Sequence, residues 1–141
     1  MRRCLTALLA CGAFTGGARA LAAQQGGQQP ALTRTVLQQR ALGVPGREGV
    51  LVLAVLAPGG TSVRHTHPGE EFGYVLEGTA TFEIAGQPAQ VLKPGDSFFI
   101  PPNMPHIAHN PGTTPLKLIS TYIVETGKPL ATPVPAPAPL G

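Results

Sequence analysis

Four residues in the middle of this chain have the types and spacing of a metal-ligand set. His65 and His67 stand two apart, so a strand there sends both imidazoles to one face. Glu71 follows the turn residues Pro68, Gly69 and Glu70, and His106 lies just past a rigid stretch holding Pro101, Pro102 and Pro105. Three imidazoles and one carboxylate form an N₃O donor set. It suits one divalent first-row metal per chain: Fe, Mn, Ni, Cu, Co or Zn. Each residue alone has a plainer reading. Two histidines at i, i+2 are common without a metal, and a glutamate after a Pro-Gly turn is ordinarily a solvated charge. A structural barrel whose histidines hold nothing is therefore the bland alternative.

The elements that must position these residues are strands. Residues 50–57 are nearly all apolar and rich in β-branched types, which predicts a strand buried on both faces. Further short strands are predicted over 63–67, 72–76, 79–85, 89–92, 97–100, 107–109 and 116–124, with Gly and Pro at the turns between them. Glu77-Gly78 reads as a hairpin turn joining two of them. A spacing of about 8–12 residues with no helical period predicts an all-β sandwich or small antiparallel barrel. With 18 Gly and 16 Pro, long helices are not expected.

The four candidates also fit two longer patterns. Gly59-x5-His65-x-His67-x3-Glu71-x6-Gly78 resembles the first conserved motif of the cupin superfamily at every fixed position. Gly95-x5-Pro101-x-Asn103-x2-His106-x3-Asn110 resembles the second, with one departure: Asn103 stands where cupins usually carry Gly. Asn is the residue after Gly that best tolerates a left-handed turn, so the change is mild. The resemblance covers the central part of the chain. It implies a jelly-roll type β-barrel with a metal inside one mouth, and His65, His67, Glu71 and His106 as the ligands. Glu70 is the neighbouring carboxylate, but the motif spacing and strand alternation favour Glu71. His109 is expected outward or at the rim, and Arg64 outward. Tyr122, Phe82, Phe98 and Phe99 read as core aromatics unless one lies inward beside the metal.

Charge narrows the partners. The chain has 141 residues and a formal charge of +3, yet Arg2, Arg3 and Arg19 sit in a leader without acidic residues. The rest carries seven basic and seven acidic side chains, which leaves no basic patch for nucleic acid. Residues 1–23 read as a secretory signal peptide, with Arg2 and Arg3, a short apolar run and Ala-x-Ala cleavage patterns. The run is too short to anchor across a bilayer. Export to the periplasm or medium is expected, with lipidation at Cys11 as the minor alternative. Both cysteines, Cys4 and Cys11, lie in this leader. Residues 24–31 read as a flexible linker, 32–128 as the barrel domain and 129–141 as a solvated Pro/Ala-rich tail.

Four protein ligands leave one or two positions open on a five- or six-coordinate metal. The first functional expectation is a small metal-dependent oxidoreductase, dioxygenase-like, acting on a small organic substrate. Related dioxygenase cupins imply that Glu71 could act as its base. The alternative is a non-catalytic metal- or ligand-binding or sensor module, since one fold hosts many functions. A divalent ion beside one carboxylate favours a small anionic ligand. A homodimer is expected by analogy, through exposed sheet edges.

Overall fold

The computed structural model describes residues 31–135. The expected signal peptide, Cys11, most of the linker and tail residues 136–141 lie outside the described residues. Ten strands form in this order: β1 (Leu32–Ala41), β2 (Arg47–Leu56), β3 (His65–Thr66), β4 (Gly69–Glu77), β5 (Ala80–Ile84), β6 (Gln90–Leu92), β7 (Ser97–Ile100), β8 (His106–His109), β9 (Leu116–Glu125) and β10 (Thr132–Pro133). They pair antiparallel into two five-stranded sheets, ordered β1-β2-β9-β4-β7 and β10-β3-β8-β5-β6. Among the described residues there is no helix, and so none long and apolar enough to cross a membrane. The all-β jelly-roll architecture is the expected one.

A period of two decides what each strand buries. In β2, Val50, Val52, Ala54 and Leu56 are buried, while Leu51, Leu53 and Val55 between them are only half-buried. The expectation of a strand buried on both faces is therefore corrected. One face makes core, and the other is an apolar outer surface that only neighbouring strands shield. Between the sheets, a large cluster that includes Leu56, Val75, Phe82, Ile84, Ile100 and Leu116 fills the body of the barrel. A smaller one, Val50, Val52, Tyr122 and Val124, takes Leu130 against it. Buried polar residues accompany them: His65, His67, Glu71, His106 and Ser120.

The turn at Glu77-Gly78 is not a hairpin. β4 pairs with β7 and β9, whereas β5 pairs with β6 and β8. Gly78, at φ 80°, turns the chain from one sheet into the other. A Cβ there would stand 2.8 Å from the Pro115 carbonyl and 2.9 Å from Leu116 Cα, so the corner is closed to any larger residue. Asn103 adopts φ 57°, the left-handed conformation expected of it. Asn110 is buried and ties the end of β2 to the β8–β9 loop. Its Nδ2 donates to the carbonyls of Leu56, Ala57 and Thr114 at 3.1, 3.1 and 2.8 Å.

The expected solvated tail is also corrected, for residues 129–135. Leu130 packs on the smaller core cluster. Thr132 and Pro133 pair with Thr66 and His65, and the Val134 N–H donates to the Arg64 carbonyl at 3.0 Å. Proline is compatible with this because β10 is an edge strand, where a missing N–H costs no ladder bond. The segment thus straps across the strand that carries the first candidate ligand.

Candidate metal centre

The two sheets contribute different chemistry to one point. The second sheet supplies the histidines: His65 on β3 is the register partner of His106 on β8, and His67 follows at the end of β3. The first sheet supplies Glu71 from β4, opposite Tyr122 on β9 and Ile100 on β7. All four candidates are buried. The three imidazole rings lie with centroids 4.3 to 5.0 Å apart. Their ligand atoms all fall within 4.8 Å of one another, so the three histidines could hold a metal ion.

Backbone carbonyls fix what each ring presents. His65 Nδ1 contacts the Val63 carbonyl at 2.7 Å, His106 Nδ1 the Met104 carbonyl at 2.9 Å, and His67 Nδ1 the Leu130 carbonyl at 2.5 Å. A carbonyl only accepts, so each Nδ1 carries the proton and donates it. Each neutral ring is left with a lone pair on Nε2. Two of those nitrogens face a carboxylate, with Glu71 Oε2 3.1 Å from His67 Nε2 and 3.6 Å from His106 Nε2, while His65 Nε2 accepts from Arg34 Nη2 at 3.3 Å. His67 Nε2 is fully buried and has no hydrogen-bond partner. Acceptors packed against acceptors repel, and an orphaned buried nitrogen is costly. A divalent cation among them turns the same arrangement favourable. The donor set therefore fits a metal, with the carbonyls in the orienting role that ligating histidines ordinarily require.

The electrostatics run the same way. Burial, and then the neighbouring His106, lowers the His65 pKa to about 4. Burial likewise depresses His106, against opposing help from the Met104 carbonyl and Glu71. For Glu71, burial pushes the pKa up, but His67 and His106 in their protonated form, together with Ser120, outweigh it and hold the carboxyl below its ordinary value. At neutral pH His65 and His106 are thus neutral beside an ionised Glu71 carboxylate.

A cavity of about 30 Å³ adjoins the centre, its wall including His65, Glu71, His106, Ser120, Tyr122 and Arg34. A second, outer cleft of about 400 Å³ opens beside it and shares Arg34 and His65. Of the aromatics, Tyr122 is the one promoted from core residue to site residue. Its ring sits 4.7 Å from that of His67, and burial together with Glu71 pushes its hydroxyl pKa well up. Ser120 and Arg34 escaped sequence reasoning. Ser120 was detectable: in the inward row Leu116, Leu118, Ser120, Tyr122, Val124 of β9, two residues carry hydroxyls. Arg34 had no comparable signal, because β1 is exposed along nearly its whole length. His109 lies at the rim, contacting Thr61 Oγ1 at 2.9 Å and Glu83 Oε1 at 3.1 Å. Glu70 is half-buried on the other face of β4, and Arg64 lines neither cavity.

Comparison with known proteins agrees with this geometry. A family model described as "Cupin domain" matches residues 52–122. A cupin-like protein of Thermotoga maritima superposes with a TM-score of 0.62 at 26% identity, covering 75% of this chain and 77% of that one. The dimethylsulfoniopropionate lyase of Ruegeria pomeroyi is 45% identical over 42 residues, 30% of this chain and 21% of the lyase. Its structure superposes with a TM-score of 0.54 at 26% identity, covering 57% and 41%. An oxalate oxidase, solved with the substrate analogue glycolate, gives 0.50 at 27% identity over 55% of this chain and 46% of its own. The chain spans between 13% and 55% of the length of the curated relatives it matches.

Two outcomes follow from the site's electrostatics and its carbonyl frame. An unfolded histidine takes up its proton near pH 6.5, but folded His65 does so only near 4. Its contribution to stability is complete above pH 6.5 and is lost as pH falls toward 4. With a chelator present, the thermal midpoint should drop across that window, less so in His65→Gln; a midpoint flat from 6.5 to 4 contradicts the buried neutral cluster. Deleting residues 130–141 removes the carbonyl that holds His67. Zinc affinity, read by chelator competition, should fall by about 10- to 100-fold, whereas deletion of 136–141 alone leaves it unchanged.

Proposed function

The chain belongs to the cupin domain family, and from that premise we propose that it is a mononuclear-metal enzyme. The ligands are His65, His67, Glu71 and His106, and the metal is one divalent transition ion per chain. The observation that carries the reading is the meeting of three carbonyl-fixed imidazoles at one buried point, with the His67 and His106 Nε2 atoms facing the Glu71 carboxylate. When bound, the ion supplies Lewis acidity and open positions for a small substrate or dioxygen.

The reaction we favour is oxidation of a small organic anion, in the manner of a dioxygenase or oxidase. An oxalate oxidase is among the structural neighbours. A divalent ion beside one ionised glutamate leaves a local charge of about +1, which favours an anion. Within the site, Glu71 is the base: its carboxylate is ionised, buried and adjacent to the cavity. The raised pKa of Tyr122 keeps its hydroxyl protonated, so it acts as a donor toward Glu71 and holds that carboxylate in place. A lyase is also among the structural neighbours, and in a lyase reading Glu71 of this chain abstracts a proton with no oxygen consumed. A non-catalytic binding module is the second reading, and the small inner cavity is the observation that favours it.

We also propose a homodimer. Among the described residues the ten-residue β1 is an edge strand with one unpaired side, and it exposes Val36 and Leu37.

Protein purified without a polyhistidine tag should contain one metal per chain, and His65→Ala/His106→Ala should lose it; full metal in the double variant refutes the ligand set. Iron- or manganese-loaded protein should consume oxygen with a panel of small carboxylates, catechols and keto acids. Turnover without oxygen uptake selects the lyase reading, and no turnover across the panel selects the binding module. Sedimentation equilibrium at micromolar concentration should give twice the chain mass, and a monomer there rejects the dimer.

A further inference from the structure

We propose that Arg34 is the anion-recognition residue of this centre and that its ligand is a small monocarboxylate with a short apolar body. The inference rests on the metal reading above and deepens it.

Arg34 follows Leu32 by two positions on β1, and Leu32 packs against the main core cluster. The same alternation turns Arg34 inward, toward the mouth of the barrel. Its Nη2 donates to His65 Nε2 at 3.3 Å. That lone pair is also the one His65 offers a metal. A metal on His65 therefore takes the acceptor that Arg34 now uses and releases the guanidinium to another partner beside the ion. Among the described residues Arg34 makes no ion pair. The single carboxylate lining either cavity is Glu71, and His67 and His106 already face it. A cation at the entrance of a site, without a counter-ion, is a place for an incoming anion. The planar fork of guanidinium matches a planar carboxylate with two parallel hydrogen bonds.

Cavity size and lining set the rest of the ligand. Arg34, Leu32 and His65 line both the inner cavity and the outer cleft, so they form the junction between them. The inner space of about 30 Å³ is small, with room for about one or two water-sized groups. Only the head of a ligand reaches the metal. The body must lie in the outer cleft of about 400 Å³, whose walls are Ala31, Leu32, Val63, Ala131 and Pro133, with Thr61 as the polar exception. These walls reward a short hydrocarbon body. One cation at the junction answers one carboxylate, and a second carboxylate would sit among apolar side chains without a partner.

Cobalt(II)-loaded protein tests this through its visible absorption bands, titrated with butyrate, butyramide, succinate and methylphosphonate. Butyrate should shift the bands and bind more tightly than each of the other three. Arg34→Gln should weaken butyrate by roughly 10- to 100-fold and leave butyramide and cobalt content unchanged. Arg34→Lys, which keeps the charge but not the fork, should fall between. Equal butyrate affinity in Arg34→Gln and the parent overturns the assignment of Arg34. Preference for butyramide, succinate or methylphosphonate overturns the ligand class, as does failure of butyrate to perturb the bands. A parent chain that takes up no cobalt refutes the metal reading itself, and this inference with it. The variant's fold is monitored by its thermal midpoint, which should match the parent's because Arg34 is exposed and lies outside both core clusters.

Discussion

Three hydrogen bonds from imidazole to backbone carbonyl govern this structure. They hold the Nδ1 protons of His65, His67 and His106 outward, on Val63, Leu130 and Met104, and so commit three Nε2 lone pairs to one buried point. The opposite tautomers would let His67 and His106 donate toward Glu71 as in an ordinary polar network. The carbonyls prevent that. What remains is a set of acceptors facing one another out of reach of bulk water, which is the electrostatic signature of a cation site.

The architecture supplies this frame from distant parts of the chain. Two carbonyls come from residues two positions before the histidine they orient, so a local bend suffices. The third comes from Leu130, which is 63 residues from His67 and held by packing on Val50, Val52, Tyr122 and Val124. Glu71 arrives from the opposite sheet, aligned by register with Tyr122 and Ile100. The site therefore exists only when both sheets and the C-terminal strap are in place. A metal held there would make affinity a readout of the whole barrel and would stabilise it, because the unfolded chain offers no comparable cluster.

Much of this was legible in the sequence because it depends on local spacing. The period-two pattern marks the strands, and the histidine and glutamate positions follow from a motif whose distances are strand distances. Asn103 could be read as a left-handed residue from its type alone, and φ 57° bears that out. The failures share a cause, which is that they concern partners. Gly78 announces a tight turn, but a turn does not say whether the next strand pairs with the last or crosses to the other sheet. Tyr122 and Ser120 look like ordinary inward residues until β4 places Glu71 against them. The Pro-rich composition after Lys128 argues for solvated chain, yet one apolar residue, Leu130, and an open sheet edge outweigh it. Arg34 was invisible because a lone arginine on an exposed strand carries no signal until the opposite strand shows what it touches.

The energetics of the centre argue for function over stability. His65, His67, Glu71 and His106 occupy space that a barrel of this size could fill with apolar side chains, as it does in the neighbouring cluster around Val75 and Ile100. Such a replacement of buried ionic or polar groups is often neutral or stabilising in other proteins. Here the desolvation of Glu71 and the unpartnered His67 Nε2 oppose folding, and the depressed His65 and His106 add a cost as pH falls below the range where unfolded histidines protonate. Tyr122 adds a buried hydroxyl where a phenyl ring would do for packing alone. A buried polar cluster whose three imidazoles are each oriented by a separate carbonyl is a built site.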